Sequence, residues 1–281
     1  MTAAPEFAIV IPTYNRPSSL RACLDSISRQ QTPDTDWEVI VVDDGGASHL
    51  DRMMADFRKT MRVRLLRQKN SGPAAARNYG AAQTSARYLV FLDDDCSAPP
   101  GWLETISRQI KRTKADVLGG ETINALKGNL LAETSQLLVD YLYTYYNRNP
   151  DNCSFFTSNN LLIRRDVFER HGGFAATFTR AAGEDREFCD RLKHHGAVFR
   201  FVTQIKIYHQ HRLGLGAFLR QHFHYGRGAT LFHSLRAGRK NSGFRIKVEP
   251  FSFYLRLVGF AFKRHRPIKA IPLTVLLIIT Q

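Results

Sequence analysis

The sequence predicts an α/β fold whose sheet is mostly parallel and flanked by helices, and two observations support that prediction. First, four short runs rich in apolar and β-branched residues each end in a polar turn, at residues 7–11, 38–42, 62–66 and 87–92. Second, helical patterns separate these runs, which is the alternation typical of βαβ units. Because the runs are largely apolar, we expect strands that are buried on both faces, as parallel strands usually are.

Helices are predicted between and after these strands. The first begins at Pro17, and Leu20, Leu24 and Ile27 give it one apolar face. A second begins near Pro73. The later elements are less regular, and for them we expect a helix over 101–114, a strand over 117–123, an aromatic-rich helix over 134–146, a short helix from Arg165 and a helix over 184–195.

Polar side chains concentrate where three of the predicted strands end. Ligands of parallel α/β sheets bind beyond the carboxyl ends of the strands. Clustered carboxylates repel one another unless a cation or hydrogen-bond donors neutralise them. A single acidic turn would be an ordinary capping turn, but three polar strand ends favour a ligand site at this edge, formed by Thr13, Tyr14 and Asn15, by Asp43 and Asp44, and by Asp93, Asp94 and Asp95.

Length and composition exclude several classes of protein. The 281 residues suit one large domain, or one domain with an appendage. With 43% hydrophobic and 23% charged residues, the chain is neither collagen-like, nor a coiled coil, nor disordered. Its four cysteines lie far apart without a CxxC pair, which favours a reducing compartment over a zinc site or a disulfide framework. The N-terminus is typical of a first strand, not of a signal peptide.

The net positive charge of the chain comes from its last third. Residues 191–281 contain 17 Lys and Arg against one acid, Glu249, whereas residues 1–190 contain 23 against 24. Such asymmetry indicates an anionic partner, namely lipid head groups, nucleic acid or an acidic substrate. A solvated basic face is the alternative.

Two segments in the basic third, 217–234 and 250–266, mix aromatic residues with cations, which is typical of helices at a membrane interface. The uncharged run from Ala270 is shorter than the ~20 residues that span a bilayer. One alternative is a folded basic cap whose aromatic residues pack on the predicted α/β domain, and another is the start of a spanning segment. Nucleic acid is not expected, because no RNP, KH or helix-turn-helix pattern occurs.

Seven motifs occur in order along the chain: IPTYNRP, VVDDGG, NSGPAAARNYG, FLDDDC, SNNLLIRRDVFERHGGF, GEDREFCDRLKHHG and IYHQHR. Together they resemble the inverting glycosyltransferases of family 2, which have the GT-A (Rossmann-like) fold and use nucleotide-diphosphate sugars. The resemblance covers roughly residues 7–230. It implies a transferase that moves a sugar to a hydroxyl group.

The resemblance also implies roles at the strand ends. Asp95 would be the carboxylate ligand of a divalent cation, Mn²⁺ or Mg²⁺, which bridges the phosphates of the donor. His209 would approach the diphosphate or complete the metal shell; we expect His209 and His211 to point in opposite directions, so that only His209 contributes. The donor-binding residues would be Pro12, Thr13, Tyr14, Asn15, Asp43, Asp44, Arg77, Asp93 and Asp94, with Arg77 at the phosphate or the base edge.

An inverting reaction needs a general base that takes the proton of the acceptor hydroxyl. The resemblance assigns this role to Asp185, with Glu184 orienting the site. Both acids occupy the first turn of a predicted helix, where the helix dipole stabilises a negative charge. Simple capping of that helix is the alternative.

We therefore expect a metal-dependent glycosyltransferase whose donor is a UDP-sugar, because uridine is the commonest donor nucleoside in the family. Its catalytic domain would span residues 1–215, with a nucleotide-sugar half at about 1–120 and an acceptor half at about 121–215. The acceptor would be a lipid, a lipid-linked glycan or a polysaccharide.

The basic helical region, residues 216–281, would attach the protein peripherally to the cytoplasmic face of the cell membrane. The alternative function is a catalytically silent scaffold that binds nucleotide sugar or anionic lipid. Intact Asp95 and Asp185 argue against it.

Overall fold

A computed structural model describes residues 4–31, 35–150, 152–239 and 249–280. The two predicted domains also include residues 1–3, 32–34, 151, 240–248 and 281, which lie outside the described residues. The strands are β1 (Phe7–Thr13), β2 (Trp37–Asp43), β3 (Val63–Arg67), β4 (Tyr88–Leu92), β5 (Cys96–Ser97), β6 (Val117–Asn124), β7 (Asn160–Arg164) and β8 (Phe199–His209). The helices are α1 (Pro17–Ser28), α2 (Asp51–Phe57), α3 (Pro73–Ala82), α4 (Trp102–Arg112), α5 (Leu130–Tyr146), α6 (Arg165–Arg170), α7 (Glu184–His194), α8 (Leu215–Arg239), α9 (Phe251–Arg264) and α10 (Pro267–Thr280).

The strands form one sheet in the order β3-β2-β1-β4-β7-β6-β8-β5. The first four strands of this order are parallel neighbours, and β6 is parallel to β8. Strand β7 runs antiparallel between β4 and β6, and the short β5 is antiparallel to β8. Four of the seven pairings in the described part of the chain are therefore parallel, which confirms the predicted α/β class and its mostly parallel sheet.

The register of the first strands brings their polar ends to one edge. In β1 and β2, Thr13 is paired with Asp43, so that the two strands end side by side. Strand β4 lies on the other side of β1 and runs in the same direction, with Phe7 paired with Tyr88. The acidic segment Asp93–Asp95 follows it immediately. The sheet thus places three polar segments from distant parts of the sequence next to one another.

Both faces of the sheet are buried, as expected for parallel strands. Along β1, Phe7, Ile9 and Ile11 pack in one hydrophobic cluster with α1, α2 and α4, whereas Ala8 and Val10 pack on the other face. Helix α3 approaches that second face closely at Gly80, where an added Cβ would lie 2.6 Å from Cγ1 of Val10. The rigid, doubly covered sheet supports the loops at its edge.

A third hydrophobic cluster joins the C-terminal helices to α5. Leu137 and Tyr141 of α5 pack against Phe253 and Leu257 of α9 and against Leu273 of α10. The hydroxyl of Tyr141 donates a hydrogen bond to the carbonyl oxygen of Phe253 at 2.7 Å. The inner faces of α9 and α10 therefore cover α5, in agreement with the alternative of a folded cap for this region.

The outer faces of the last three helices carry exposed apolar side chains: Leu215, Leu219 and Phe223 on α8, Phe251, Leu255 and Phe262 on α9, and Ile268, Ile271, Val275 and Ile278 on α10. Within the ranges that the structure describes, no helix combines the length and the apolar character needed to cross a bilayer.

Candidate active site

The acidic segment after β4 is held by donors from the first strand and the loop that follows it. The hydroxyl of Thr13 donates to Oδ2 of Asp94 at 2.7 Å. The guanidinium of Arg16 donates to Oδ1 of Asp94 at 3.2 Å and to Oδ2 of Asp95 at 2.9 Å. Burial raises the pKa of Asp94 to about 6, although Arg16 and Thr13 oppose this shift. Sequence reasoning did not identify Arg16 as a partner of these carboxylates.

Asp95 lies between two histidines at the end of β8. Its Oδ1 is 3.2 Å from Nε2 of His209 and its Oδ2 is 3.4 Å from Nδ1 of His211. The two imidazole rings stack with centroids 5.2 Å apart. Burial alone would raise the pKa of Asp95, but hydrogen bonds from His209 and His211 and the charges nearby hold it well below its usual value.

The expectation that His209 and His211 point in opposite directions was wrong. Residues two apart in an extended chain lie on the same side, because only successive side chains alternate. Both rings therefore reach Asp95, and the two-residue pairing of β5 with β8, in which Cys96 is opposite His209, brings the carboxylate to them.

This cluster fits a divalent cation. The ligand atoms of Asp95, His209 and His211 all lie within 4.8 Å of one another. Nε2 of His211 is buried and has no hydrogen-bond partner in the part of the chain that the structure describes. A carboxylate is the preferred ligand of Mg²⁺ and Mn²⁺, and imidazole ligates first-row transition metals. The donor set thus matches the predicted metal site and adds His211 to it.

The second pair of acids stands at the start of α7. The preceding Gly183 has a φ of +89°, a backbone conformation that favours glycine. Oδ2 of Asp185 accepts a hydrogen bond from the amide of Ser158 at 3.1 Å. Its Oδ1 is shielded from solvent and has no hydrogen-bond partner among the described residues. Burial raises the pKa of Asp185, so this carboxyl group holds its proton more tightly than an exposed aspartate.

Glu184 differs from Asp185 because both of its carboxylate oxygens have a partner. Its Oε2 accepts a hydrogen bond from the amide of Ala182 at 2.7 Å, and its Oε1 is 3.2 Å from the guanidinium of Arg77. Burial, followed by the charge of Asp185, raises the pKa of Glu184 to about 7. Arg77 counteracts this shift.

Arg77 connects the two acidic clusters. Its guanidinium is only 3% exposed and lies 2.7 Å from Oδ1 of Asp93 as well as next to Glu184. It also lies over the ring of Phe174. Both terminal nitrogens of Arg77 are therefore occupied by carboxylates, instead of being free at the phosphate or base edge where the residue was expected. A contact between Arg77 and the donor stays a prediction.

The acids after β2 shape the neighbouring loops. The carboxylate of Asp44 accepts hydrogen bonds from the amides of Ser71 and Gly72, at 2.8 and 2.9 Å, just before α3. Asp43 accepts from the amide of Gly46 at 2.9 Å. Asn15, the one non-glycine residue with positive φ in the described ranges, accepts from the amide of Ala47. These bonds fix the loops around the strand ends.

One cavity of about 560 Å³ collects most of the predicted site. It is lined by Pro12, Thr13, Tyr14, Asp44, Arg77, Asp93, Asp94, Asp95, Glu184, Asp185 and His209. Asn15 and Asp43 are not among its lining residues. Residues that sequence reasoning missed also line it, including Arg16, His211 and one face of α8.

Comparison with known families agrees with the fold. The family model described as glycosyl transferase family 2 matches residues 8–172. The chondroitin synthase of Escherichia coli is 29% identical over 240 residues, which cover 72% of this chain and 34% of that enzyme. Glycosyltransferase AglE of Haloferax volcanii is 28% identical over 228 residues, which cover 80% of this chain and 73% of that protein. The chain thus spans about a third of the first relative and most of the second.

Solved structures show the same fold at low sequence identity. The mannosyltransferase PcManGT from Pyrobaculum calidifontis, in complex with GDP-Man and Mn²⁺, aligns with a TM-score of 0.64 at 15% identity, over 99% of this chain and 74% of its own. Residues 1–349 of TarS from S. aureus align with a TM-score of 0.60 at 17% identity, over 95% and 83% of the two chains. These similarities confirm the predicted GT-A fold.

Proposed function

The chain belongs to the glycosyltransferases of family 2, and on that premise we propose that it moves a sugar from a nucleotide-diphosphate donor to a hydroxyl group with inversion at the anomeric carbon. The observation that carries this proposal is the carboxylate of Asp185. One of its oxygens is fixed by the amide of Ser158, and the other has no described partner. The residue lines the same cavity as the acids after β4.

Asp185 acts as the general base in this proposal. Its free oxygen takes the proton of the acceptor hydroxyl while the hydroxyl oxygen attacks the anomeric carbon of the donor. The bond from that carbon to the diphosphate oxygen breaks in the same step, and the diphosphate leaves on the opposite face, which inverts the configuration. Glu184, held by Arg77 and by the amide of Ala182, keeps the start of α7 in place.

Asp95, His209 and His211 would hold a divalent cation, Mn²⁺ or Mg²⁺. When bound, such a cation offsets the negative charge that the departing diphosphate gains. The proximity of the three ligand atoms and the unpartnered Nε2 of His211 support this assignment. The neighbour PcManGT was solved with Mn²⁺.

The donor that we propose is a UDP-sugar. TarS has been solved with UDP and with UDP-GlcNAc, whereas PcManGT was solved with GDP-Man. Guanine is therefore the alternative base. Base and ribose would lie along the ends of β1 and β2, and Asp94 near the ribose. The donor-binding residues are those named from the sequence: Pro12, Thr13, Tyr14, Asn15, Asp43, Asp44, Arg77, Asp93 and Asp94.

We place the reaction at the cytoplasmic surface of the cell membrane, with a lipid, a lipid-linked glycan or a polysaccharide as the acceptor. The exposed apolar side chains on the outer faces of α9 and α10 support this proposal. Lys263 and Arg266 are exposed at the junction of these helices, whereas Arg264 and Lys269, also at the junction, pair with Asp140 and Glu133 of α5. Cations near an anionic leaflet contribute about 1 kcal/mol each. In this proposal residues 1–215 form the catalytic domain and residues 216–281 the membrane-facing region.

Calorimetric titration with UDP, GDP, dTDP and CDP, each with and without Mn²⁺, tests the donor site. We expect UDP to bind, and Mn²⁺ to strengthen its binding. A different responding nucleotide would change the donor base and leave the rest of the proposal intact. No binding by any of the four would contradict it.

A further inference from the structure

Helix α8 forms one wall of the catalytic cavity, a role that its sequence did not indicate. Ala217, Arg220, Gln221, His224 and Tyr225 all line the cavity. Their spacing of three and four residues places them on one face of the helix. Burial raises the pKa of Tyr225 to about 12, which keeps its hydroxyl neutral. A polar helix face that closes a polar cavity indicates contact with the ligand that fills it.

A loop before α7, residues 179–183, forms the adjoining part of this wall. Two glycines hold the loop in place. A Cβ added to Gly72, on the donor side, would lie 2.6 Å from the carbonyl oxygen of Thr179. A Cβ added to Gly228 of α8 would collide with the carbonyl group of Ala182. The loop is therefore fixed between the donor half and α8, and we call the loop and the cavity-lining face of α8 the roof of the cavity.

The cations that line the cavity fall into two groups. Arg16 and Arg77 are paired with the carboxylates of the two acidic clusters, as described above. Arg180 of the loop and Arg220 of α8 also line the cavity, and both residues are exposed. Neither guanidinium makes an ion pair or a hydrogen bond with any residue that the structure describes. The unused positive charge of the cavity therefore lies in the roof.

The floor of the cavity is acidic. Asp44, Asp93, Asp94, Asp95, Glu184 and Asp185 all line it. A diphosphate that enters a site with so many carboxylates is repelled unless additional cations face it. Guanidinium groups match phosphate oxygens in geometry and form charge-assisted hydrogen bonds with them.

We propose that Arg180 and Arg220 bind the diphosphate of the donor from the roof and stabilise it as the leaving group. This inference rests on the proposed function, because it takes the nucleotide-diphosphate site as given. It assigns to α8 a direct contact with substrate in addition to its exposed apolar face. The interaction strengthens as the diphosphate gains charge during transfer.

Titration calorimetry on the full chain tests this assignment. The variants are Arg180→Gln, Arg220→Gln and Arg220→Lys, and the probes are UDP, uridine and inorganic pyrophosphate, all with Mg²⁺. Each Gln variant should weaken UDP and pyrophosphate binding by about tenfold, the usual effect of losing one charged hydrogen bond. Uridine binding should change by less than about twofold, since the nucleoside has no phosphate. Arg220→Lys should recover part of the loss.

Arg227→Gln is the matched control, since Arg227 lies on the same helix, is exposed and does not line the cavity. It should leave all three affinities unchanged. Thermal unfolding of every variant checks that the fold is intact. Unchanged UDP and pyrophosphate affinities in both Gln variants would overturn the proposal, as would an equal loss for uridine, which indicates a structural effect.

The probes separate this proposal from the proposed function. One outcome is that the wild-type chain binds pyrophosphate, the Gln variants do not, and no nucleoside diphosphate binds. The phosphate-binding role of Arg180 and Arg220 then holds, and the nucleotide-sugar assignment fails. If the wild type binds neither pyrophosphate nor any nucleoside diphosphate, both proposals fail. If UDP binds and the Gln variants have the same affinities as the wild type, only the phosphate-binding role of Arg180 and Arg220 is refuted.

Discussion

At the end of β4, Asp94 and Asp95 use their oxygens to bind a hydroxyl, a guanidinium and two imidazoles. At the start of α7, Asp185 uses one oxygen and leaves the other without a described partner. Both clusters contain the same kind of side chain and line the same cavity. They differ in how many of their carboxylate oxygens already have a hydrogen-bond or ion-pair partner.

This difference separates two chemical tasks. Asp95, which lies between two imidazoles and a guanidinium, has a pKa well below its usual value, and this stabilised negative charge suits a cation site. A carboxylate with a free, shielded oxygen and a raised pKa suits proton transfer. Arg77, which pairs with Asp93 on one side and Glu184 on the other, keeps the two clusters at a fixed separation.

The largest effect that we predict comes from removing this link. Arg77→Met leaves Asp93 and Glu184 without their shared cation, and breaking a buried ion pair costs about 3–5 kcal/mol. Urea unfolding at pH 8 measures the loss. The loss should be smaller at pH 5, because Glu184, whose pKa is already about 7, is then protonated and needs no counter-charge.

Arg62→Met is the control for this prediction. Arg62 pairs with Asp36 at the surface, where both side chains are about half exposed, and such pairs contribute at most about 1 kcal/mol. Equal losses in the two variants would show that Arg77 does not bridge the clusters in a way that matters for stability.

Asp185→Asn tests the assignment of the base. We expect transfer to fall by ~10²-fold or more, with nucleotide and metal affinity nearly unchanged, because the amide cannot take a proton. Comparison of kcat with titration calorimetry separates the two effects. Asp190→Asn, on the same helix but paired with Arg236 and Arg239, should retain transfer. Full activity in Asp185→Asn would mean that another group is the base.

Asp95→Ala tests the other cluster. It should weaken metal-dependent nucleotide binding by at least about tenfold, since even the loss of an outer partner of a metal ligand has an effect of that size. The measurement is UDP affinity as a function of Mn²⁺ concentration. A manganese dependence identical to that of the wild type would refute the metal assignment of Asp95.

The smallest effect concerns pH. Burial raises the pKa of Asp185, and a base must be ionised to act, so transfer should increase as the pH rises through that pKa. The acid limb of the kcat profile should therefore have its midpoint above ~4, the value of an exposed aspartate. A midpoint at or below that value would mean that the limiting base is a solvated carboxylate.

Much of the fold and part of the site follow from local sequence patterns. Strands β1, β2 and β4 are contiguous apolar runs, and the polar residues that follow them occupy one sheet edge by the geometry of parallel strands. The acids at the start of α7 are visible as a first helical turn after Gly183. In each case one short segment contains the whole signal.

The site features that the sequence did not predict depend on contacts between distant segments. Arg16 reaches Asp94 across 78 positions, and Arg77 reaches Glu184 across 107. No local pattern indicates which carboxylate a long, flexible arginine will find. The orientation of His211 was mispredicted for a different reason, because the alternation of an extended chain was applied to residues two apart.

Helix α8 shows most clearly what a local sequence pattern cannot predict. Its sequence alternates aromatic residues with cations, a pattern that suits a bilayer surface and a cavity wall equally well. The structure places Arg220 and Tyr225 at the cavity and leaves Leu219 and Phe223 exposed on the outer face.

The close contact of Gly228 with Ala182 has a consequence for anyone who shortens this protein. A chain cut after residue 215 would lose a wall of the cavity and uncover the partners of the buried Phe218. The shortest useful form should extend through Arg239, the last residue of α8. Such a form would expose Leu138 and Tyr141 of α5, which α9 and α10 now cover, so polar replacements at these two positions would have to accompany the deletion.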